Sequence, residues 1–535
     1  MRRSAACLSI ACFFMTGAAG ARDAVVARHY MVAAAHPLAV AAGYEVLKRG
    51  GSALDAAIAV QLVLGLVEPE SSGIGGGAFL LHWSEKDKRL RSYDGRETAP
   101  AAARPDRFLK NDQPMEFHEA AIGGRSVGVP GVLRMLELAH RRHGRLAWST
   151  LFAEAIRLAE EGFAVSPRLR LLLNDERYLK DDPGARKVYY GGGERIVNPE
   201  YAKTLRTLAE KGADAFYRGP IADDIVGAVR SNARPGDLTV ADLASYRALE
   251  RTPLCAPHRG RRVCSMGPPS SGGVALLQIL GLLERTAFAR APPRSAAAVH
   301  YFSEAGRLAY ADRARYLGDP AFAFVPVKNL LSQKYLDDRA KRITDRSMRL
   351  APAGDPEAYG TSHLSIVDAA GDAVSMTTTI EASFGSRIMV RGFLLNNQLT
   401  DFDFTPGLPN AVAPGKRPRS SMAPSMAFRG DRLELVIGSP GGPNIINYVA
   451  KALVGALDWK LDLQSAVELP NFGSRNGPTL VEKGSDFEKL IIDLKSKGHD
   501  VETPALVSGL HGIERVPEGW RGAADPRREG VARGD

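Results

Sequence analysis

Cysteine is scarce in this chain: four residues among 535, at positions 7, 12, 255 and 264. That number excludes a scaffold held together mainly by disulfides. No Cys and His fall at metal-ligand spacing. His118-Glu119 opens like a zinc-protease helix motif but lacks the second His, so no metal site is expected from the spacing. Low-complexity tracts and internal repeats are absent, which excludes solenoid and fibrous classes. Lys and Arg are scattered, with no basic stripe interleaved with aromatics. The net charge of +10 therefore reads as a solvated surface that steers anionic ligands, not as a nucleic-acid interface. With 45% hydrophobic and 24% charged residues, the composition is that of a soluble globular enzyme.

The N-terminus reads as a targeting signal. Arg2 and Arg3 form a positive region, and Ala5 to Met15 is an apolar run too short to span a bilayer. Ala19-Gly20-Ala21 follows as a small-residue cleavage site. The expectation is a signal peptide over 1–21 and an exported protein, periplasmic or secreted, with no membrane span once the signal is removed. Cys12 offers lipidation as an alternative, opposed by Ser9 where a lipoprotein signal favours an aliphatic residue. Cys255 and Cys264 flank Pro257-His258-Arg259-Gly260, a stretch suited to a hairpin turn, so a local disulfide is expected in an oxidising compartment.

Further along, Pro37 to Lys48 and Leu54 to Val67 have helical patterns, the second with few polar positions and hence buried. Gly73-Ile74-Gly75-Gly76-Gly77-Ala78 resembles a dinucleotide fingerprint superficially. The order of elements is wrong, because a helix precedes the glycines and a strand follows them. Close backbone packing is the better reading. From about 100 to 350 the pattern is mostly helical, with helices over Val132–Arg142, Ser149–Glu161 and Val299–Tyr310. Ala351 to Gly360 is rich in Pro, Gly and Ala and reads as a flexible segment. Directly after it come strands over Thr361–Asp368, Ala373–Ile380, Ile388–Leu395 and Leu433–Ile437, then a helix over Ile445–Leu457.

A flexible segment feeding into a strand that begins with Thr is an unusual junction. A Thr hydroxyl needs a base to act as a nucleophile. If the Gly360–Thr361 bond is cut, Thr361 gains an α-amine of pKa roughly 8, able to accept that proton directly or through water. Gly360 adopts backbone conformations that ease attack on its own carbonyl. The plain alternative is a Thr that merely opens a strand. Around it, a turn centred on Ala370 places Thr379 opposite Thr361, and Glu381 two residues on shares that face. Asn396-Asn397-Gln398 and Asp401 form a polar cluster at a strand end. Gly438-Ser439-Pro440-Gly441-Gly442 offers bare backbone N–H groups ahead of a helix, an arrangement able to hold an oxyanion.

From about residue 30 onward the sequence resembles the γ-glutamyltransferases, members of the N-terminal-nucleophile hydrolases. The motifs are Thr-Ser-His-Leu-Ser-Ile-Val-Asp at 361–368, Leu-Leu-Asn-Asn-Gln at 394–398, Lys-Arg-Pro-Arg-Ser-Ser-Met at 416–422 and Gly-Ser-Pro-Gly-Gly at 438–442. Asp-Gly-Arg-Glu-Thr-Ala-Pro at 94–100, Pro-Pro-Ser-Ser-Gly-Gly at 268–273 and Ala-Asp-Pro-Arg at 524–527 also fit. The resemblance implies a four-layer αββα sandwich, made of a large subunit over 22–360 and a small one over 361–535 that form one interleaved unit.

Residue by residue, it implies that Thr361 is the nucleophile and Thr379 the hydroxyl that orients it. Arg96 would hold the α-carboxylate of a γ-glutamyl group, with Ser420 and Ser421. Gln398 and Asp401 would hold the α-ammonium, and Gly441 and Gly442 would form the oxyanion hole. A planar guanidinium suits the carboxylate and Asp401 suits the ammonium. Glu381 stands where several relatives carry Asn, and it still accepts a hydrogen bond from an ammonium. The stretch from Asp401 to Arg417 is too short for the lid loop of some relatives, which implies a more open pocket for bulky leaving groups. Glutathione and related γ-glutamyl compounds are the implied donors, with amino acids or dipeptides as acceptors. Two alternatives stand beside this. One is an acylase of the same superfamily acting on glutaryl side chains of β-lactams, and the other is a non-catalytic scaffold that binds γ-glutamyl ligands.

Overall fold

The computed structural model describes residues 24–350 and 360–535. The signal read over 1–21, with Cys7 and Cys12, and most of the Pro/Gly/Ala-rich segment lie outside the described residues. Among the described residues, no helix is long and apolar enough to cross a membrane.

The strands that build the core are β1 (Val25–Ala27), β2 (Met31–Ala34), β3 (Gly77–Ser84), β4 (Arg89–Gly95), β5 (Leu249–Arg251), β6 (Leu254–His258) and β7 (Arg261–Ser265). After the junction come β8 (Gly360–Val367), β9 (Ala373–Glu381), β10 (Ser425–Arg429), β11 (Arg432–Gly438), β12 (His511–Val516), β13 (Gly519–Ala524) and β14 (Val531–Gly534). Among the described residues they make two antiparallel sheets of seven strands, in the orders β1-β13-β12-β11-β10-β7-β6 and β14-β2-β8-β9-β3-β4-β5. Each sheet takes strands from both sides of Thr361, so the two halves of the chain are interleaved in both sheets.

The covering helices are α1 (Pro37–Lys48), α2 (Ala53–Val67), α3 (Val132–His143), α4 (Gly272–Glu284), α5 (Ala296–Tyr316) and α6 (Ile445–Leu457). Period-two alternation explains how each strand serves two layers. On β2, Val32 and Ala34 join the core beneath α1 and α2, whereas Met31 and Ala33 face the other sheet with Trp83, Phe428 and Val436. On β11, Leu435 and Ile437 pack under α4 and α6. The result is the four-layer αββα sandwich. Burying a large apolar side chain such as Trp83 contributes roughly 1.5–3 kcal/mol, so the three cores together hold the layers in register.

Helix α2 starts with a capping box, in which Ser52 Oγ accepts from Asp55 N–H and Asp55 accepts from Ser52 N–H. It is buried on nearly all sides because sheet and helices enclose it. The glycines that follow serve close packing. A Cβ on Gly76 would lie 2.1 Å from the Thr379 carbonyl oxygen, and one on Gly75 would lie 2.1 Å from the Leu394 carbonyl oxygen.

Three sequence readings need correction. The middle of the chain is not only helical, since β5, β6 and β7 add edge strands to both sheets. Ile388–Leu395 is not one strand but a short hairpin, Met389–Val390 against Phe393–Leu394, turned by Arg391 and Gly392 at positive φ. The helix read as ending at Tyr310 runs to Tyr316. Cys255 and Cys264 face each other across the β6–β7 hairpin and are joined by a disulfide.

Candidate active site

Strand β8 pairs with β9 in the register that sets Ser362 opposite Thr378 and Leu364 opposite Met376. Continued outward, that register would set Thr361 opposite Thr379. The ladder instead shifts between Gly360 and Ser362, so Thr361 sits on a β-bulge, a device that re-aims a side chain. Gly360 and Thr361 are consecutive residues of the strand, so in the intact polypeptide the Thr361 nitrogen is an amide. Arg528 Nη1 donates to the Thr361 carbonyl at 3.0 Å. Ser362 Oγ donates to Glu68 Oε2 at 2.6 Å. Both contacts hold the chain on the C-terminal side of the bulge. Burial, together with the neighbouring Glu68 charge, pushes the adjacent Glu70 carboxyl up to about 7.

One cavity of about 1280 Å³ brings the sequence-derived residues together. Thr361, Thr379, Glu381, Gln398, Asp401, Arg96, Ser420, Ser421 and Gly442 all line it. Glu381 ends β9 with φ 81, a conformation that costs a non-glycine residue about 1–2 kcal/mol. It is held there by Asn397 Nδ2, which donates to its Oε2. Glu381 N–H donates to Thr379 Oγ1 at 2.8 Å.

Arg96 follows β4 directly and is fully buried. Its Nε donates to the Pro418 carbonyl at 3.1 Å. Its Nη2 donates to the Arg419 carbonyl at 3.0 Å and to Asp401 Oδ2. Nη1 has no hydrogen-bond partner among the described residues. Asp401 Oδ2 also accepts from Gln398 Nε2 at 2.8 Å, while Gln398 Oε1 is buried and accepts nothing from the described residues. The arrangement thus presents a guanidinium N–H beside two acceptors, a carboxylate and an amide oxygen. A carbon bearing both a carboxylate and an ammonium meets matching partners there.

The three amides of Asn396-Asn397-Gln398 divide their work. Asn396 Nδ2 donates to the Gly75 carbonyl at 2.8 Å and to the Gly128 carbonyl at 2.9 Å. Asn397 holds Glu381 and receives Ala382 N–H at 2.9 Å. Only Gln398 lines the cavity. Past β11, Gly441 and Gly442 have φ 131 and 56, values that favour glycine. Their N–H groups donate to no acceptor among the described residues. Tyr310 Oη donates to the Pro443 carbonyl and pins this turn.

Sequence reasoning missed several residues. Glu97 lies beneath Arg96, with Oε2 3.7 Å from Arg96 Nη1, and burial pushes its carboxyl up to about 8. It was present in the 94–100 motif but was given no role. Glu68, just past α2, and Arg528, between β13 and β14, reach Ser362 and Thr361 across 294 and 167 positions, contacts that only the tertiary fold makes. His300, Glu304 and His499 bring potential metal ligands within 4.8 Å of one another, yet their atoms already have partners. His300 Nδ1 meets His499 Nε2 at 2.7 Å and His300 Nε2 meets the Thr344 carbonyl at 2.8 Å. His499 Nδ1 meets Thr479 Oγ1 at 2.7 Å, and Glu304 accepts from Arg307, Ser347 and Met348. The cluster is a closed hydrogen-bond network.

Comparison with known proteins agrees with this geometry. The family profile for gamma-glutamyltranspeptidase matches residues 39–534. The glutathione hydrolase proenzyme of Bacillus subtilis (strain 168) is 36% identical, covering 95% of this chain and 92% of its own. The acylase ACY 1 proenzyme of Pseudomonas sp. (strain V22) is 35% identical, covering 94% and 92%. Among solved structures, a cephalosporin acylase from Bacillus halodurans superposes with a TM-score of 0.86 at 28% identity, over 96% of this chain and 97% of its own. A one-point difference in identity does not separate hydrolase from acylase, so the choice between them rests on the residues of the cavity.

Proposed function

This chain belongs to the gamma-glutamyltranspeptidase family, and from that premise we propose that it is a self-cleaving γ-glutamyltransferase and glutathione hydrolase whose nucleophile is Thr361. The observation that carries the reading is the Arg96–Asp401–Gln398 group beside Thr361 in one cavity. It offers partners for both charges of a γ-glutamyl α-carbon.

In the proposed maturation, Thr361 Oγ attacks the Gly360 carbonyl carbon and the peptide bond to the Thr361 nitrogen breaks. An ester is left on Oγ, and water hydrolyses it. Residues 22–360 and 361–535 become large and small subunits, and the Thr361 nitrogen becomes a free amine able to act as base. In turnover, Oγ attacks the γ-carbonyl of the donor, and the Gly441 and Gly442 N–H groups take the developing oxyanion. The amine of the leaving group departs with a proton, giving a γ-glutamyl ester on Thr361. Water completes hydrolysis, or the amine of an amino acid or dipeptide completes transfer. Thr379 orients the nucleophile, and Ser420 and Ser421 assist Arg96 with the carboxylate. No step calls on a metal or organic cofactor. Export to the periplasm or medium, with removal of the leader at 1–21, belongs to this reading.

A second reading, a glutaryl or cephalosporin acylase, is favoured by the acylase relatives and by the size of the cavity. Phe402, Phe404 and Leu408 add apolar wall to it. A glutaryl group lacks the ammonium, so it would leave Asp401 and Gln398 Oε1 without a partner on the substrate. The test is the ratio of kcat/KM for γ-glutamyl-p-nitroanilide and glutaryl-p-nitroanilide with the exported protein. A ratio well above one supports the transferase reading, and a ratio below one supports the acylase.

A further inference from the structure

The wall that carries Ser420 and Ser421 contains a cation that the sequence motifs did not single out. Arg313 lies in the last turns of α5 and lines the cavity. Its Nε donates to Ser271 Oγ at 2.8 Å and its Nη2 to Ser421 Oγ at 2.9 Å. Ser271 Oγ in turn donates to the Ser420 carbonyl at 2.5 Å. Ser421 Oγ therefore accepts from a guanidinium and, among the described residues, donates to nothing. Its hydrogen is left for a ligand, and a hydroxyl that accepts from a cation is a stronger donor.

Charge accounting points the same way. Arg96 is paired with Asp401, and Arg419 with Asp403 at 2.9 Å. No carboxylate among the described residues lies within ion-pair distance of Arg313. Burial, with the Arg419 charge nearby, draws Arg313 down to about 10, so it remains a cation at neutral pH. Arg313 is half-buried and has no ion-pair partner among the described residues, so an incoming carboxylate gains a charge partner there.

We propose that Arg313 is a positioning residue for the α-carboxylate of the donor, acting through Ser421, whose hydroxyl it orients toward the cavity and whose subsite it leaves with net positive charge. The proposal rests on the γ-glutamyl reading above.

The test uses full-length Arg313→Gln and Arg313→Lys, with self-cleavage verified by intact mass, and three p-nitroanilide donors. The γ-glutamyl donor carries both charges, the glutaryl donor only the carboxylate and the 4-aminobutyryl donor only the ammonium. Arg313→Gln is expected to lower kcat/KM about 10- to 100-fold for the two carboxylate donors, the loss of one charge-assisted hydrogen bond, mainly through KM. The 4-aminobutyryl donor is expected to change less than about twofold, and Arg313→Lys to recover part of the loss. If the 4-aminobutyryl donor turns over too slowly, its amide as a competitive inhibitor gives the same comparison. An equal loss on all three donors, or no loss on any, overturns the proposal. If Arg313→Gln does not fold, Arg313→Lys decides, because a loss that does not discriminate between donors overturns the proposal there too. A parent protein silent on every donor overturns the proposed function instead, which is a different result.

Discussion

Arg96 Nη2 donates to Asp401 Oδ2, so the residue assigned to the substrate carboxylate and the residue assigned to the substrate ammonium hold each other. Arg96 Nη1 and Gln398 Oε1 make no hydrogen bond among the described residues, and Nη1 lies 3.7 Å from Glu97 Oε2. Replacing Asp401 by Asn keeps one amide oxygen but removes the negative charge that would face an ammonium, and leaves Arg96 buried with less compensation. Asp401→Asn is expected to lower kcat/KM for a γ-glutamyl donor by about 10- to 100-fold, the range for hydrogen bonds to charged groups. The glutaryl donor is expected to lose less. Equal losses on both donors would contradict the ammonium assignment.

Gly76 sits against the carbonyl of Thr379, where an added Cβ would lie at 2.1 Å. That contact involves backbone on both sides, so it is not relieved by turning a side chain. Gly76→Ala is expected to cost about 1–3 kcal/mol, the range for overpacking a tight core. Because Thr379 lines the cavity, kcat should fall as well. Urea unfolding with the parent midpoint would contradict the packing account of this glycine run and reopen the question of its purpose.

Glu97 gives the site a stability that depends on pH. Its carboxyl is raised from an ordinary 4.5 to about 8 by burial, so the folded chain holds a proton that the unfolded chain releases between those values. The contribution is fully present below about 4.5 and is lost as pH rises through about 8. Glu97→Gln lacks this titration. Measured in a Thr361→Ala background, the denaturation midpoint of Glu97→Gln should fall less than that of its parent between about pH 5 and 9. Identical pH slopes would contradict a protonated Glu97 in the folded state.

The sequence carried the site's parts better than their connections. Strand alternation about a turn centred on Ala370 gave the register of the two strands as far as Ser362 opposite Thr378, because period two is local and the turn is short. The bulge at Thr361 was not legible, since it depends on how β9 ends at Glu381 in a left-handed conformation. The Arg96–Asp401 bond spans 305 positions, and no local pattern encodes it. Helix α5 was read too short because its end is polar. It continues because those polar groups are paired in the interior, with Asp312 accepting from Gln278 at 2.9 Å and from Arg339 at 2.7 Å. That shortened reading hid Arg313. The β6–β7 hairpin was legible only at its turn between Cys255 and Cys264, and β5 was lost in a helical stretch because it is three residues long and lies at a sheet edge, where burial on both faces is not required.

The central claim is that Thr361 cuts the chain before itself and then serves as the nucleophile. Intact mass of the purified full chain beside its Thr361→Ala variant tests it most directly. Two fragments that meet between Gly360 and Thr361, formed only when Thr361 is present, are the expected result. A single uncut chain in both proteins, or cleavage that persists in Thr361→Ala, would contradict it.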